Sequence, residues 1–248
     1  MGFSASVQRR GAESPPSLVR SYGPRMSVLH ETVFTGMPLQ SFTNGQTFIE
    51  PGGLSATVSI PAGGSIAIVS DGLKCMHPTS SSAQVQYTYV APQLSSMLGA
   101  NRWRRGQWAW WTHYVDVNKG STGFSTIFLM NASYPGCGIA IRRRASVFGD
   151  YWFGAESSPQ LRGTTNQTNL VVCVYARRPW EFDILYGPWD DGWPGFESLT
   201  LGGTIFGNPS YANVADISSV SVDAAGGGRT GFTAEYMTTD RWRLTTWD

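Results

Sequence analysis

Charge is what this sequence has least of. Asp, Glu, Lys and Arg make up 14% of its 248 residues, against roughly a quarter in ordinary globular proteins. The two signs nearly cancel, leaving a formal net charge of +1. No overall field draws such a chain to nucleic acid or to an anionic membrane, and nucleic acid is not an expected partner. Apolar runs are short as well: none approaches the ~18 residues of a transmembrane helix, so no membrane span is expected. The opening residues MGFSASVQRRGAESPP hold no apolar stretch of the secretory kind, and no signal peptide is expected. No sequence repeat of roughly 20–50 residues recurs, which excludes propellers and solenoids.

Cysteine is scarce too. Cys75, Cys137 and Cys173 form no CxxC pair and no metal-ligand spacing, so neither a disulfide framework nor a zinc site is implied. Cys173 lies in an apolar run and reads as a buried thiol. A Cys75–Cys137 bridge is the pairing left open. His30, His77 and His113 are far apart, with no Ser-His-Asp or metal spacing between them. Gly226-Gly227-Gly228 lacks the lysine and helix of a phosphate loop and reads as a hairpin tip. No metal or cofactor is expected. Asn131 and Asn166 begin glycosylation sequons, which matter only in a secreted chain.

What the sequence does have is 29 Gly, 14 Pro and 10 Trp. With plentiful Ser and Thr, this suits short strands joined by tight turns. Leu54, Ala56, Val58 and Ile60 alternate with polar residues, the period of a half-buried strand. Pro61-Ala62-Gly63-Gly64 turns the chain, and Ser65–Ser70 returns. Val85, Tyr87 and Tyr89 alternate again. One short helix is expected over 92–98. Trp108 and Trp110 then point one way, with Trp111 and His113 the other. Around a dozen such strands predict an all-β fold, a two-sheet antiparallel β-sandwich or jelly roll over residues 36–248.

Residues 1–35 read as an extended N-terminal arm. Arg9, Arg10, Arg20 and Arg25 outnumber Glu13 and Glu31, and Pro15, Pro16 and Pro24 forbid a continuous helix. Two readings stay open: a floppy tail, or an arm that orders against neighbouring protein subunits in a homo-oligomer or particle. Met1-Gly2 with Ser6 also fits the loose myristoylation pattern, against the plainer reading of a disordered start.

The densest set of candidate ligand contacts lies between Asn169 and Phe206. Leu170–Tyr175 is apolar on both faces, as in a strand covered from each side. Phe182, Ile184 and Tyr186 share one face of the next strand, and Glu181, Asp183 and Leu185 the other. The order of the segments GGSIAIVSDGLKC (63–75), GFSTIFLMNASYPGCGIAIRR (123–143) and NLVVCVYARRPWEFDILYG (169–187) resembles the concanavalin A-like superfamily of lectins, laminin-G-like modules and laminarinase-type glucanases. The likeness spans about residues 45–245 and is one of pattern, so it implies fold more than function.

Three candidate sites follow. Glu181 and Asp183 resemble the start of the laminarinase-type acid motif. A retaining glycosidase needs two carboxyl groups about 5–5.5 Å apart across the scissile bond, and Leu185 and Tyr186 stand where the third acid of that motif belongs. The plain alternative is a surface Glu and Asp on a solvent-facing strand. Trp189, Asp190, Asp191 and Trp193 flank a turn that reads either as a glycan platform, indole faces stacking on sugar rings beside hydroxyl-accepting carboxylates, or as a turn whose rings fold back as a lid. Two adjacent acids fall short of a Ca²⁺ site. Trp103, Arg104, Arg105, Trp108, Trp110 and Trp111 interleave bases and rings as single-strand binders do, but read better as core tryptophans beside an exposed arginine turn. The expectation is a non-catalytic recognition or structural module on a virion or phage-particle surface. The alternatives are a polysaccharide-active enzyme and a stand-alone soluble lectin.

Overall fold

The computed structural model describes residues 26–76, 85–99, 108–118, 124–131, 134–143, 151–155, 158–163, 169–178, 181–206, 219–225 and 236–247. Seventeen strands among these residues form two antiparallel sheets, so the expected β-sandwich is the observed fold. Sheet A follows the spatial order β15 (Thr200–Phe206), β14 (Glu181–Pro188), β13 (Leu170–Arg178), β8 (Trp108–Asn118), β17 (Tyr236–Trp247), β6 (Gly72–Met76), β5 (Ser65–Val69) and β2 (Gln40–Ser41). β1 (Met26–Val33) also pairs with β17. Sheet B runs β12 (Ser158–Gly163), β11 (Tyr151–Ala155), β10 (Tyr134–Arg143), β9 (Phe124–Asn131), β16 (Ser219–Ala225), β7 (Val85–Val90), β4 (Ser55–Ser59) and β3 (Thr47–Ile49). The expected helix is α1 (Ala91–Leu98).

Alternation decides which side chains meet between the sheets. Trp108, Trp110, Val172, Val174, Phe182, Ile184, Trp242 and Leu244 from sheet A face Phe48, Val58, Tyr87 and Tyr89 from sheet B, all within one buried cluster. Trp110 stacks on Trp242 with ring centroids 4.1 Å apart. Burying an indole contributes on the order of 4–5 kcal/mol before ordering entropy, so these rings dominate the core. A polar thread crosses it: Trp242 Nε1 donates to Tyr89 Oη at 3.0 Å, and Tyr89 Oη donates to Glu50 Oε2 at 3.2 Å. The other oxygen of Glu50 meets His30 Nε2 of β1.

The close fit at the β6–β17 border rests on Gly72. Its φ is +140°, and a Cβ there would fall 2.3 Å from the Thr239 carbonyl oxygen. Only glycine fits that approach.

The arm boundary drawn at residue 35 is corrected by β1, which lies within the sandwich and pairs with β17 from Met26↔Trp247 to Val33↔Arg241. Its inward residues His30 and Thr32 are polar, and a bulge between Val28 and His30 breaks the period of two. No apolar alternation announces this strand. The segment bearing Arg9, Arg10, Arg20 and Arg25 lies outside the described residues. Cys75 and Cys173 are both buried, and the side chain of Cys137 in the Cys75–Cys137 pairing lies outside the described residues.

Candidate functional site

A second apolar cluster lies on the face of sheet A turned away from sheet B. Ala109 and Trp111 of β8, Val171, Cys173 and Tyr175 of β13, Leu185 of β14 and Trp247 of β17 form its floor. Its cover is the loop that follows β14. Phe196, in a short 3-10 turn Phe196–Ser198, and Leu199 are buried in the cluster, with Trp189 and Trp193 packed against it. This double covering explains why β13 is apolar on both faces.

Polar residues frame the apolar floor. His113 of β8 meets Asp240 Oδ2 through Nδ1 at 3.0 Å and Asn169 Oδ1 through Nε2 at 2.6 Å. Asp240 also accepts hydrogen bonds from Arg241 Nε, at 2.6 Å, and from the Thr35 hydroxyl. Burial alone raises the Asp240 pKa. The hydrogen bonds from His113, Thr35 and Arg241, with the Arg241 charge, outweigh it and hold the carboxyl down at about 2. Trp189 stacks on the His113 ring, and the Arg241 guanidinium sits 4.9 Å from the Trp189 ring centroid.

Arg243 lies one strand position pair further along β17. Its guanidinium carbon is 4.5 Å from the Trp111 centroid and 4.6 Å from that of Trp193, so two indoles contact one cation. Burial pushes the Arg243 pKa down to about 10, against an opposing pull from Glu31. Trp193 Nε1 donates to Glu31 Oε1 at 2.7 Å, which ties the loop to β1. These contacts form a lid held by aromatic, cation–π and hydrogen-bond contacts.

The acids of the candidate motif fare differently from expectation. Asp183 is not on a solvent-facing strand: it is 1% exposed, faces the same side of β14 as Leu185, and accepts a hydrogen bond from Thr204 at 2.6 Å. It lies between Tyr175 of β13 and Thr204 of β15 in the sheet register. Glu181 begins β14, and its side chain lies outside the described residues. Asp190 and Asp191 are exposed at the loop tip. Asp191 takes the left-handed conformation, with φ 54°. A shallow depression of about 190 Å³ opens beside them, lined by Pro188, Asp190, Gly192, Trp193, Pro194 and Ser198. Among the described residues no cluster of three or more His, Cys, Asp or Glu is placed to hold a metal ion.

Trp108, Trp110 and Trp111 are fully buried, as core tryptophans. Trp103, Arg104 and Arg105 lie outside the described residues. Sequence reasoning missed His113, Asp240, Arg241 and Arg243. His113 and Asp240 lie 127 residues apart, and local spacing carries no such signal. No helix of the described residues is long and apolar enough to cross a membrane.

No protein-family model matches the chain, and no curated protein matches it. Solved structures do. One is described as endo-acting O-glycanases expressed by members of the human gut microbiota to initiate mucin breakdown. It aligns over 90% of this chain and 100% of its own, at 9% identity and TM-score 0.51. A Bacillus licheniformis β-glucanase aligns over 88% and 97%, at 11% identity and TM-score 0.47. The CBM2 module of an evolved Dit from Lactobacillus casei BL23 phage J-1 aligns over 90% and 96%, at 9% identity and TM-score 0.47. The class defined by the fold is a two-sheet antiparallel β-sandwich. At such identities the likeness is one of fold.

Proposed function

We propose that this protein is a non-catalytic recognition or structural module of a virion or phage-particle surface, and that the loop from Pro188 to Ser198 contacts carbohydrate. One observation carries the reading: the sheet face on which a reaction centre would need open carboxylates is filled by the chain's own loop. Trp189, Trp193 and Phe196 cover it, and Asp183 is sequestered against Thr204. The loop offers its own shallow depression instead, with the half-buried Trp193 and the exposed Asp190 on the rim. An indole edge beside a carboxylate suits a sugar, whose C–H groups pack on the ring while its hydroxyls donate to the acid. The fold shared with the mucin-degrading O-glycanase structure makes saccharides the ligand class to test first.

The particle assignment rests on the arginine-bearing segment of residues 1–25 and the low overall charge. A glycan array probed with the wild type, Trp193→Ala and Asp190→Ala tests the ligand. Saccharide binding that both substitutions weaken supports the reading, and binding that neither changes removes the loop from it. Incubation with β-glucans tests the absence of catalysis: reducing ends that disappear in Glu181→Gln would establish an enzyme instead.

A further inference from the structure

Residues 188–198 hold three acids, Asp190, Asp191 and Glu197, and no lysine, arginine or histidine. All three are exposed, and among the described residues none has an ion-pair partner. In a chain with 17 acidic and 18 basic residues, this one loop is therefore a local concentration of negative charge. The two arginines that touch its rings have acids of their own. Arg241 binds Asp240 at 2.6 Å, and Glu31 acts on Arg243. Neither arginine lines the depression at the loop.

The hydrogen-bonding capacity of the depression is one-sided as well. Its lining side chains are two prolines, Asp190, the half-buried Trp193 and Ser198, beside Gly192. Trp193 Nε1 already donates to Glu31 at 2.7 Å, and the Ser198 hydroxyl donates to the Gly195 carbonyl oxygen at 2.8 Å. Both side-chain donors are thus engaged. What the lining side chains still offer is the carboxylate of Asp190 and the lone pairs of Ser198, and both of these accept. A ligand that fits such a surface brings donors and positive charge.

We propose that the saccharide met by this loop is a basic one, a 2-amino sugar whose ammonium donates to Asp190 while its ring packs against Trp193. This rests on the carbohydrate reading for the sugar, and on the loop acids and the engaged donors for its charge. An ammonium has three donors and no acceptor, the complement of side chains that only accept. Its hydrogen bond to a carboxylate is charge-assisted, and so stronger than that of a neutral hydroxyl. Asp191 and Glu197 add attraction from the same loop. N-acetylation removes the positive charge, and a uronic acid reverses it. A single exposed ion pair is worth up to about fivefold in affinity, which sets the scale of the discrimination.

The test titrates the full chain at low salt and mildly acidic pH, where a sugar amine is protonated, and follows tryptophan emission. The probes are a glucosamine trisaccharide, its fully N-acetylated counterpart and trigalacturonic acid. The glucosamine trisaccharide is expected to bind about fivefold tighter than the acetylated one, with trigalacturonic acid weakest. Raising the salt toward 1 M should remove most of that difference. Asp190→Asn should cost the glucosamine trisaccharide about fivefold and leave the acetylated one within twofold. Glu197→Gln, outside the depression, should cost the glucosamine trisaccharide about twofold, and it carries the test if Asp190→Asn does not fold. Equal affinity for the two trisaccharides overturns the amino-sugar assignment and leaves the carbohydrate reading standing. So does a preference for the glucosamine trisaccharide that neither substitution reduces, or tightest binding of trigalacturonic acid. If no saccharide binds, both readings fall, and quenching by trilysine that Asp190→Asn abolishes would make the loop a surface for cationic peptide instead.

Discussion

Trp189 lies face to face on His113, with ring centroids 4.1 Å apart and planes 12° from parallel. The stack joins a loop residue to the centre of sheet A, directly over the hydrogen bonds that His113 makes with Asp240 and Asn169. Other side-chain contacts fasten the lid as well, among them Arg241 over Trp189, Arg243 against Trp193 and the Trp193–Glu31 hydrogen bond.

Truncating that stack should loosen the lid without unfolding the sandwich. Trp189→Ala is expected to cost roughly 1–3 kcal/mol, less than a fully buried indole because Trp189 is only half-buried. In a chain of this size that lowers Tm by several degrees, at about 2–4 °C per kcal/mol. Amide exchange should accelerate in residues 188–198 and stay slow in β13 and β14.

Acid should weaken the frame around His113. Asp240 titrates at about 2 in the folded protein, below its ordinary 3.8. The folded state therefore holds the proton less tightly than the unfolded chain, and the stabilisation is present above pH ~4 and lost as pH falls toward 2. Allowing for solvent screening, the amount is on the order of 1 kcal/mol. Urea unfolding at pH 6, 4 and 2.5 should show this loss in the wild type and a smaller one in Asp240→Asn.

The polar thread through the core should be intolerant of truncation. Glu50, 2% exposed, accepts from Tyr89 and pairs with His30. Glu50→Ala leaves both partners buried without an acceptor and should cost about 3–5 kcal/mol. Glu50→Gln retains one acceptor oxygen and should cost less. Denaturant midpoints for the two variants check the order; equal midpoints would mean the retained amide oxygen does nothing for the buried partners.

The loop tip carries a conformational requirement at Asp191. With φ at 54°, a β-branched residue there meets its own backbone, and Asp191→Val should cost about 1–2 kcal/mol, whereas Asp191→Asn should be nearly neutral. Thermal unfolding of the pair distinguishes backbone strain from loss of the carboxylate: equal losses in both variants would assign the effect to charge.

Local patterning made the sandwich legible. Strict alternation in 54–60 and 85–89, and the doubly apolar 170–175, each correspond to observed strands. β1 was not legible, because the residues it buries are a histidine and a threonine whose partners, Glu50 and Trp242, lie elsewhere in the chain. Asp183 could be placed on the correct face of its strand, but its hydrogen bond from Thr204 of the neighbouring strand was not legible. The Trp-rich loop could be recognised as a lid or a platform. Choosing between them required His113 and Arg243, which no spacing in the sequence brings to Trp189 and Trp193.

The central claim is that saccharide meets the loop from Pro188 to Ser198, and hydrogen–deuterium exchange addresses it most directly. With a saccharide that binds on the array, protection should rise within 188–198 and remain unchanged in sheet B. Bound saccharide that leaves the exchange of that loop unaltered, or an array on which no saccharide binds, would contradict the account.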